Sequence, residues 1–99
     1  MTTINFSFIN GHALNALPTL LGRWLPDGKM QGREYVALNP MRHDTKHGSF
    51  KVNTRTGQWA DFASGDRGGD VISLAAYLSN STQKDAALSI AAMLGVDHG

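Results

Sequence analysis

Apolar residues recur at helical spacing near the start of the chain. Four leucines there lie three or four residues apart: Leu14, Leu17, Leu20 and Leu21. Pro18 falls among them, and proline is tolerated in the first turn of a helix but not in its interior. The segment therefore predicts two short helices that end at Gly22. Before them, the alternating apolar residues Ile4, Phe6 and Phe8 predict a short strand.

Two more apolar stripes at helical spacing occupy the end of the chain. The first consists of Val71, Ile72, Leu74, Ala75 and Leu78, and the second of Leu88, Ile90, Ala91 and Leu94. Asp70 stands at the position of an N-cap for the first stripe. Thr82 and Asp85 have the spacing of a capping box before the second stripe, and Gly95 is a typical C-terminal stop. The pattern predicts two helices within residues 70–95.

The middle of the chain has a shorter period and more turn residues. In residues 33–38, REYVAL, apolar side chains lie among polar ones, which predicts a strand. Asn39 and Pro40 end it, because proline cannot continue a ladder of hydrogen bonds. Residues 41–48 have no apolar period, and we expect a polar loop there.

A β-hairpin is predicted after this loop. Phe50 and Val52 alternate with Lys51, and an apolar segment returns at residues 59–62. Gly57 lies in the connection, where a hairpin loop of this length needs a residue that adopts positive φ. By the two-residue period of a strand, Lys51 points away from its two apolar neighbours, so one face can be apolar and the other basic.

These elements predict one α+β domain over residues 1–99. It comprises a helical extension (1–22), a small antiparallel sheet with the hairpin (33–64) and two helices (70–95). A chain of 99 residues buries a modest core but cannot enclose a large active site. We therefore expect no catalytic activity of its own.

Composition and charge narrow the class of protein. The chain has no cysteine, which excludes disulfides and thiolate zinc sites and is typical of a cytoplasmic protein. No apolar stretch reaches membrane-spanning length, so we expect no membrane partner. The net charge is only +1, but eight of the nine basic residues lie between Arg23 and Arg67, together with five acidic ones. This local excess is compatible with an anionic partner.

The glycine-rich stretch GQWADFASGDRGGDVISL, residues 57–74, has two alternative uses. It could bind a phosphate at a helix N-terminus, or it could form a tight corner between a strand and a helix. Asp66 and Asp70 bring negative charge to the place a phosphate would occupy, and no Lys-Ser or Lys-Thr follows the glycines. The pattern favours the corner, with Asp70 as the helix cap.

Two segments together carry a resemblance to a known family. NPMRHDTKHGSFKV, followed by GQWADFASGDRGGDVISL, resembles the N-terminal zinc-ribbon (Cys-His-Cys-Cys) domain of bacterial, phage and plasmid DNA primases. Residues 49–52 and 68–72 match best. The resemblance implies a zinc-ribbon-like sheet, and a domain that grips the single-stranded template rather than one that catalyses.

The positions of the metal ligands depart from that family. Asn39 stands in place of the first cysteine, and Asp61 and Ser64 stand in place of the later pair. His43 corresponds to the ligand histidine after a one-residue insertion. These groups are a poor substitute for thiolates, so we expect a degenerate form with no zinc and no other cofactor. Apolar contacts of Phe50, Trp59 and Phe62 would then hold the hairpin.

Single-strand binding needs flat aromatic rings for the bases and cations along the phosphates. The expected nucleic-acid-binding residues are Arg33, Tyr35, Arg42, Lys46, Lys51, Arg55, Trp59 and Arg67. Two other interpretations stay open at this point. Trp59 could be a core residue, and Lys51 and Arg55 could serve only to solubilise an edge strand.

The function expected from these observations is that of a monomeric module that binds single-stranded DNA in replication. It would belong to, or act with, a plasmid- or prophage-type DNA primase or primase-helicase. The alternative is an interaction domain that docks a replicative helicase or polymerase and has lost nucleic-acid binding. An independent enzyme is disfavoured, because the nearest carboxylates, Asp61, Asp66 and Asp70, lie on one predicted turn rather than around a concave site. Whether the chain is a whole protein or one domain of a primase stays open.

Overall fold

The structure is a computed structural model that describes residues 4–42 and 48–96. Within these ranges, five strands form one antiparallel sheet, and neighbours in the sheet are also neighbours along the chain. The strands are β1 (Lys29–Gln31), β2 (Glu34–Ala37), β3 (Phe50–Asn53), β4 (Trp59–Asp61) and β5 (Arg67–Gly68). The helices are α1 (Phe6–Asn15), α2 (Leu17–Trp24), α3 (Val71–Ser79) and α4 (Gln83–Leu94). The predicted α+β class, with a small antiparallel sheet flanked by helices at both ends of the chain, is confirmed.

The two N-terminal helices are confirmed, with Pro18 in the first turn of α2, which runs two residues beyond Gly22. The strand expected before them is wrong, because Phe6 and Phe8 belong to α1. The Asn5 side chain accepts a hydrogen bond from the Phe8 amide at 3.0 Å and caps the helix. Both phenylalanines are exposed, and the helix buries Ile9 and Ala13, which are four residues apart. Apolar residues at alternate positions were therefore a misleading signal.

Among the helices of the described ranges, none has the length and hydropathy needed to cross a bilayer.

The predicted strand and hairpin in the middle of the chain are confirmed as β2, β3 and β4. Gly57 has φ +83° in the hairpin loop, as expected. Two short edge strands, β1 and β5, were not predicted. Every residue of β1 is exposed, and β5 has only two residues, so neither carries an apolar alternation.

The core lies between one face of the sheet and the helices. Phe50, Val52 and Trp59 contribute to it from the sheet. The Trp59 ring lies 4.7 Å from the Tyr77 ring and 6.1 Å from that of Phe50, measured between centroids, and its indole N–H donates to Ser73 Oγ at 3.0 Å. Phe50 and Trp59 therefore hold the hairpin against α3, as predicted.

Phe62 does not share this role. It follows Asp61, the last residue of β4, and its side chain is 71% exposed. Trp59 and Asp61 point to the core, so Ala60 and Phe62 point the other way by strand alternation. The expectation that Phe62 packs in the hairpin core is wrong for this reason.

The glycine-rich stretch forms a tight corner between β5 and α3, as the sequence predicted. Asp70 Oδ1 accepts a hydrogen bond from the Ser73 amide at 2.8 Å, and Ser73 Oγ lies 3.4 Å from the Asp70 amide, so the two residues form a capping box for α3. A Cβ at Gly68 would lie 2.4 Å from Trp59 Nε1 and 2.4 Å from Ser73 Oγ. Close packing therefore requires glycine at position 68. The caps predicted for α4 are also present: Thr82 accepts from the Asp85 amide at 3.1 Å, and Gly95 ends the helix with φ +67°.

Candidate nucleic-acid interface

The sheet face away from the helices carries a row of cations. Strand pairing aligns Lys29, Val36, Lys51, Ala60 and Arg67 across the five strands. Because paired residues share a face, Lys29, Lys51 and Arg67 lie on the side opposite Phe50, Val52 and Trp59. We call this side the outer face and these three residues the cation row. Neighbouring strands are about 4.8 Å apart, so successive cations of the row are roughly 10 Å from one another.

An exposed aromatic ring stands beside the cation row. The Lys51 ammonium lies 5.9 Å from the centroid of the Phe62 ring, within the range of a cation–π interaction. The Phe62 amide donates to the Ser49 carbonyl at 2.8 Å, which continues the strand pairing and fixes the ring on the outer face. Lys51, Phe62 and Arg67 line one shallow concavity of about 520 Å³. The carboxylate-bearing Glu34 of β2 and polar residues of β3 and the hairpin loop also line it.

Tyr35 and Trp59, the two aromatic residues expected to stack on bases, lie on the other face of the sheet. Trp59 is only 5% exposed. The Tyr35 hydroxyl donates to the Leu25 carbonyl, and burial, together with the charge of Asp27, raises the pKa of Tyr35. Both residues pair with Val52 in the sheet and so share its inward direction. The structure gives them a packing role, which corrects the expectation that their rings are platforms.

Arg33 and Arg55 occupy adjacent turns at one end of the sheet. Arg33 precedes β2, and its carbonyl accepts hydrogen bonds from the Thr54 amide at 2.9 Å and the Thr54 hydroxyl at 2.7 Å. Arg55 follows Thr54 in the hairpin loop, and both arginines are exposed. Lys46 and His43 lie outside the described residues. The structure thus brings Lys51 and Arg67 together on one face and places Arg33 and Arg55 at its end.

Sequence reasoning missed two members of this surface, Lys29 and Phe62. The alternation that was applied to Lys51 would also have placed Phe62 outward, given that Trp59 points inward. Lys29 had no such signal, because β1 carries no apolar alternation.

Arg42 was expected at the interface but lies at the opposite end of the sheet, in a buried polar cluster. Its Nε donates to Asp61 Oδ2 at 2.6 Å, and its Nη2 donates to Ser49 Oγ at 3.1 Å. The Asn39 amide donates to the same Asp61 oxygen at 2.6 Å and to the Tyr77 hydroxyl at 2.9 Å. We call Asn39, Arg42, Asp61 and Tyr77 the clasp. Asn39 and Asp61 are fully buried, and the Arg42 side chain is 30% exposed.

The clasp sets the ionisation of Asp61. Burial alone would raise the pKa of this carboxyl, but the hydrogen bonds from Arg42, Asn39 and the amides of Ala63 and Ser64 outweigh it. The net result lowers the pKa of Asp61 to about 2. Asp61 is therefore a carboxylate at neutral pH, and Arg42 supplies the opposite charge.

The family comparison covers all five strands of the described sheet and the helices that follow it. The sequence model of the CHC2 zinc finger family, the zinc-ribbon domain of DnaG-type primases, matches residues 26–99, about three quarters of the chain. The chain belongs to the CHC2 zinc finger family. The resemblance stated from the sequence is thereby confirmed, and α1 and α2 precede the matched residues. No curated protein matches the chain.

The residues of this CHC2 domain do not fit the zinc ion that the family name implies. Asp61 Oδ1 accepts from the amides of Ala63 and Ser64, and Oδ2 accepts from Asn39 and Arg42. A metal at this carboxylate would have to displace a guanidinium that carries charge of the same sign. The chain also offers no thiolate. Within residues 4–42 and 48–96, no three His, Cys, Asp or Glu side chains group in a way that could hold a metal ion.

Proposed function

We propose that this domain binds single-stranded DNA on the outer face of its sheet, as the non-catalytic template-binding module of a DnaG-type primase in DNA replication. The observation that carries the proposal is the cation row, with an exposed phenylalanine beside it, on the sheet face opposite the buried Phe50, Val52 and Trp59. Membership of a primase zinc-ribbon family supports the same partner.

The cation row suits a phosphate backbone. Among the described residues, Lys29, Lys51 and Arg67 have no carboxylate within ion-pair distance, so their charge is available to a ligand. Arg33 and Arg55 extend the positive surface beyond one end of the sheet. Each phosphate neutralised releases counterions, and for a single strand the logarithm of the affinity falls with the logarithm of salt with a slope of about 0.7 per contact.

Phe62 suits a base. A flat ring on a sheet surface stacks on any of the bases, and such a contact contributes about 1–3 kcal/mol. The Lys51 ammonium next to it is placed for the phosphate that flanks a stacked base. The concavity between Phe62 and Arg67 is open and shallow, as sequence-tolerant binding requires.

Glu34 lines the concavity, and three other acidic residues near the interface have structural roles, which supports a non-catalytic module. Asp61 is buried in the clasp, Asp66 accepts a hydrogen bond from the Tyr77 hydroxyl at 2.8 Å, and Asp70 caps α3. None of the three is presented as one of a pair of tuned groups around a concave site.

The test is the affinity for a labelled single-stranded oligonucleotide, measured by fluorescence anisotropy at two salt concentrations. The double variant Lys51→Glu/Arg67→Glu should weaken binding at least about tenfold at low salt and flatten the salt dependence. Lys84→Glu is the matched control, because Lys84 is exposed on α4, in the helical layer on the other side of the sheet. It should bind as the unmodified protein does.

Equal affinities for the double variant and the control would refute the outer face as the binding site. Binding that does not respond to salt, or no binding at all, would favour the alternative in which the domain docks a replicative helicase or polymerase.

A further inference from the structure

Two turns at one end of the sheet each begin with a buried residue that caps its own turn. In the first, Met41 donates its amide to Asn39 Oδ1 at 2.8 Å, and Arg42 donates its amide to the Asn39 carbonyl at 3.1 Å. In the second, Asp61 Oδ1 accepts from the Ala63 and Ser64 amides at 2.9 and 3.3 Å. Both are Asx-type turns, in which a short polar side chain substitutes for a backbone acceptor.

The clasp joins these two turns to each other and to α3. Asn39 and Arg42 come from the first turn and converge on Asp61 Oδ2 of the second. Tyr77 of α3 receives the Asn39 amide and donates its own hydroxyl to Asp66, which lies just past the second turn. By the resemblance to the primase zinc ribbon, Asn39, Asp61 and Ser64 of these turns stand where that family has metal ligands.

We propose that the clasp replaces the zinc ion of the family: the Arg42 guanidinium supplies the positive charge between the two turns, and the domain folds without metal. The bonds between the two turns are hydrogen bonds and one ion pair. This inference does not depend on the proposed DNA binding.

The geometry of Arg42 explains why a guanidinium performs this role. Its Nε and Nη2 point in a fixed fork, one to Asp61 and the other to Ser49, so a single side chain links the second turn to the start of β3. The ammonium of a lysine is a point charge without this fork. The Asp61 carboxylate uses both of its oxygens. Oδ1 accepts hydrogen bonds within the second turn, and Oδ2 accepts from Arg42 of the first turn.

The lowered pKa of Asp61 agrees with this arrangement. The groups that face the carboxylate are the Arg42 guanidinium, the Asn39 amide and two backbone amides, and all of them are donors. Within residues 4–42 and 48–96, Tyr77 and Asp66 are titratable groups connected to them by hydrogen bonds. Burial is the largest influence on the pKa of Tyr77 and raises it; the hydrogen bond from Asn39 lowers it, and the hydrogen bond to Asp66 with the charges of Asp66 and Asp61 raises it again. The pKa is raised overall, so the hydroxyl keeps its proton at neutral pH.

The first test uses the unmodified full chain. It is purified without added metal, its zinc content is measured by atomic emission, and thermal unfolding is followed with and without a strong chelator and with added zinc sulfate. We expect far less than one zinc per chain and the same Tm in all three conditions. Stoichiometric zinc, or a Tm that falls when the chelator is added, would overturn the proposal.

The second test replaces Asp61 by asparagine, which has nearly the same shape. The side-chain nitrogen that this substitution introduces would face the donors of Arg42 and Asn39, so donors would meet donors. We expect Asp61→Asn to lower Tm by at least about 10 °C, since removing one member of a buried pair is costly in a domain of this size. Asp85→Asn, an exposed position in the first turn of α4, is the control and should shift Tm only slightly.

A milder variant decides the matter if Asp61→Asn fails to fold. Arg42→Lys keeps the charge but loses the fork, and we expect a folded protein with a Tm below that of the unmodified protein, without any gain of zinc. Equal Tm values for Asp61→Asn and Asp85→Asn, or no change of Tm in Arg42→Lys, would show that the clasp does not hold the turns together.

Discussion

Arg42 and Lys51 are cations of the same basic segment, yet they lie in opposite environments. Arg42 is paired with a fully buried carboxylate at one end of the sheet, and its Nε and Nη2 donate to Asp61 and Ser49. Lys51 lies on the outer face next to the exposed Phe62 ring. The comparison shows that a local excess of positive charge mixes residues that stabilise the fold with residues that are available to a ligand. The direction in which a side chain points and the burial of its partners distinguish the two kinds of residue.

The largest effect should come from removing the cation that is paired. Arg42→Ala leaves the Asp61 carboxylate buried without its counter-charge, and we expect the free energy of unfolding to fall by about 3 kcal/mol. Lys51→Ala, on the outer face, should change it by less than about 0.5 kcal/mol. Urea denaturation followed by tryptophan fluorescence measures both. Similar losses in the two variants would remove the distinction between the two regions.

Acid should weaken the clasp and leave the interface charges in place. Asp61 has a pKa of about 2 in the folded protein and an ordinary value of 3.8. The unfolded chain therefore takes up the proton first, and the stability that Asp61 contributes above its ordinary pKa is lost as the pH falls from about 5 to about 2. We expect a loss of about 2 kcal/mol over this window. An NMR titration of the Asp61 carboxyl carbon checks the cause, and a pKa at or above the ordinary value would contradict it.

Removal of the exposed ring should affect binding and spare the fold. Phe62→Ala should weaken single-strand binding by on the order of 1 kcal/mol, because one stacking contact is lost. Its stability should change little, since the side chain is 71% exposed. Isothermal titration with an oligonucleotide and urea denaturation measure the two quantities. A variant that loses stability but keeps its affinity would assign Phe62 to the fold instead.

The smallest effect is expected at the end of the sheet. Arg55→Ala should lower the affinity a few-fold and reduce the salt slope by about 0.7, the value of one phosphate contact. Arg23→Ala is the control, because Arg23 is exposed on α2, in the helical layer. If both variants reduce the slope equally, the positive surface that binds the strand extends beyond the outer face.

Much of the fold could be predicted from local patterns. The break before Pro18, the positive φ of Gly57 and the cap formed by Asp70 each depend on the physical chemistry of one residue and its close neighbours. The strand expected at Phe6 and Phe8 failed because a cap at Asn5 and two buried residues at helical spacing outweighed three alternating apolar residues. Burial, which favoured the helix over the strand, depends on the whole fold and not only on neighbouring residues.

The candidate site was less predictable. Lys51 was placed correctly on a strand, whereas Arg67 lies on β5, which was not predicted. The outward direction of Phe62 depended on knowing that Trp59 faces the core. The clasp had no local signal at all, because Asp61 lies 19 residues from Arg42 and 22 from Asn39 along the chain. The resemblance to the primase family pointed to these positions as changed ligands, and only the fold showed that the replacements contact one another.

One consequence of the clasp concerns oxidants. Thiolates that hold a metal are the groups that peroxide converts to sulfenic and then sulfinic acids, and a ribbon that depends on them opens when they react. The clasp that joins the two turns in this domain consists of an amide, a guanidinium, a carboxylate and a phenol, without a thiol. Peroxide therefore finds no thiol to attack at the point where the chain is held together.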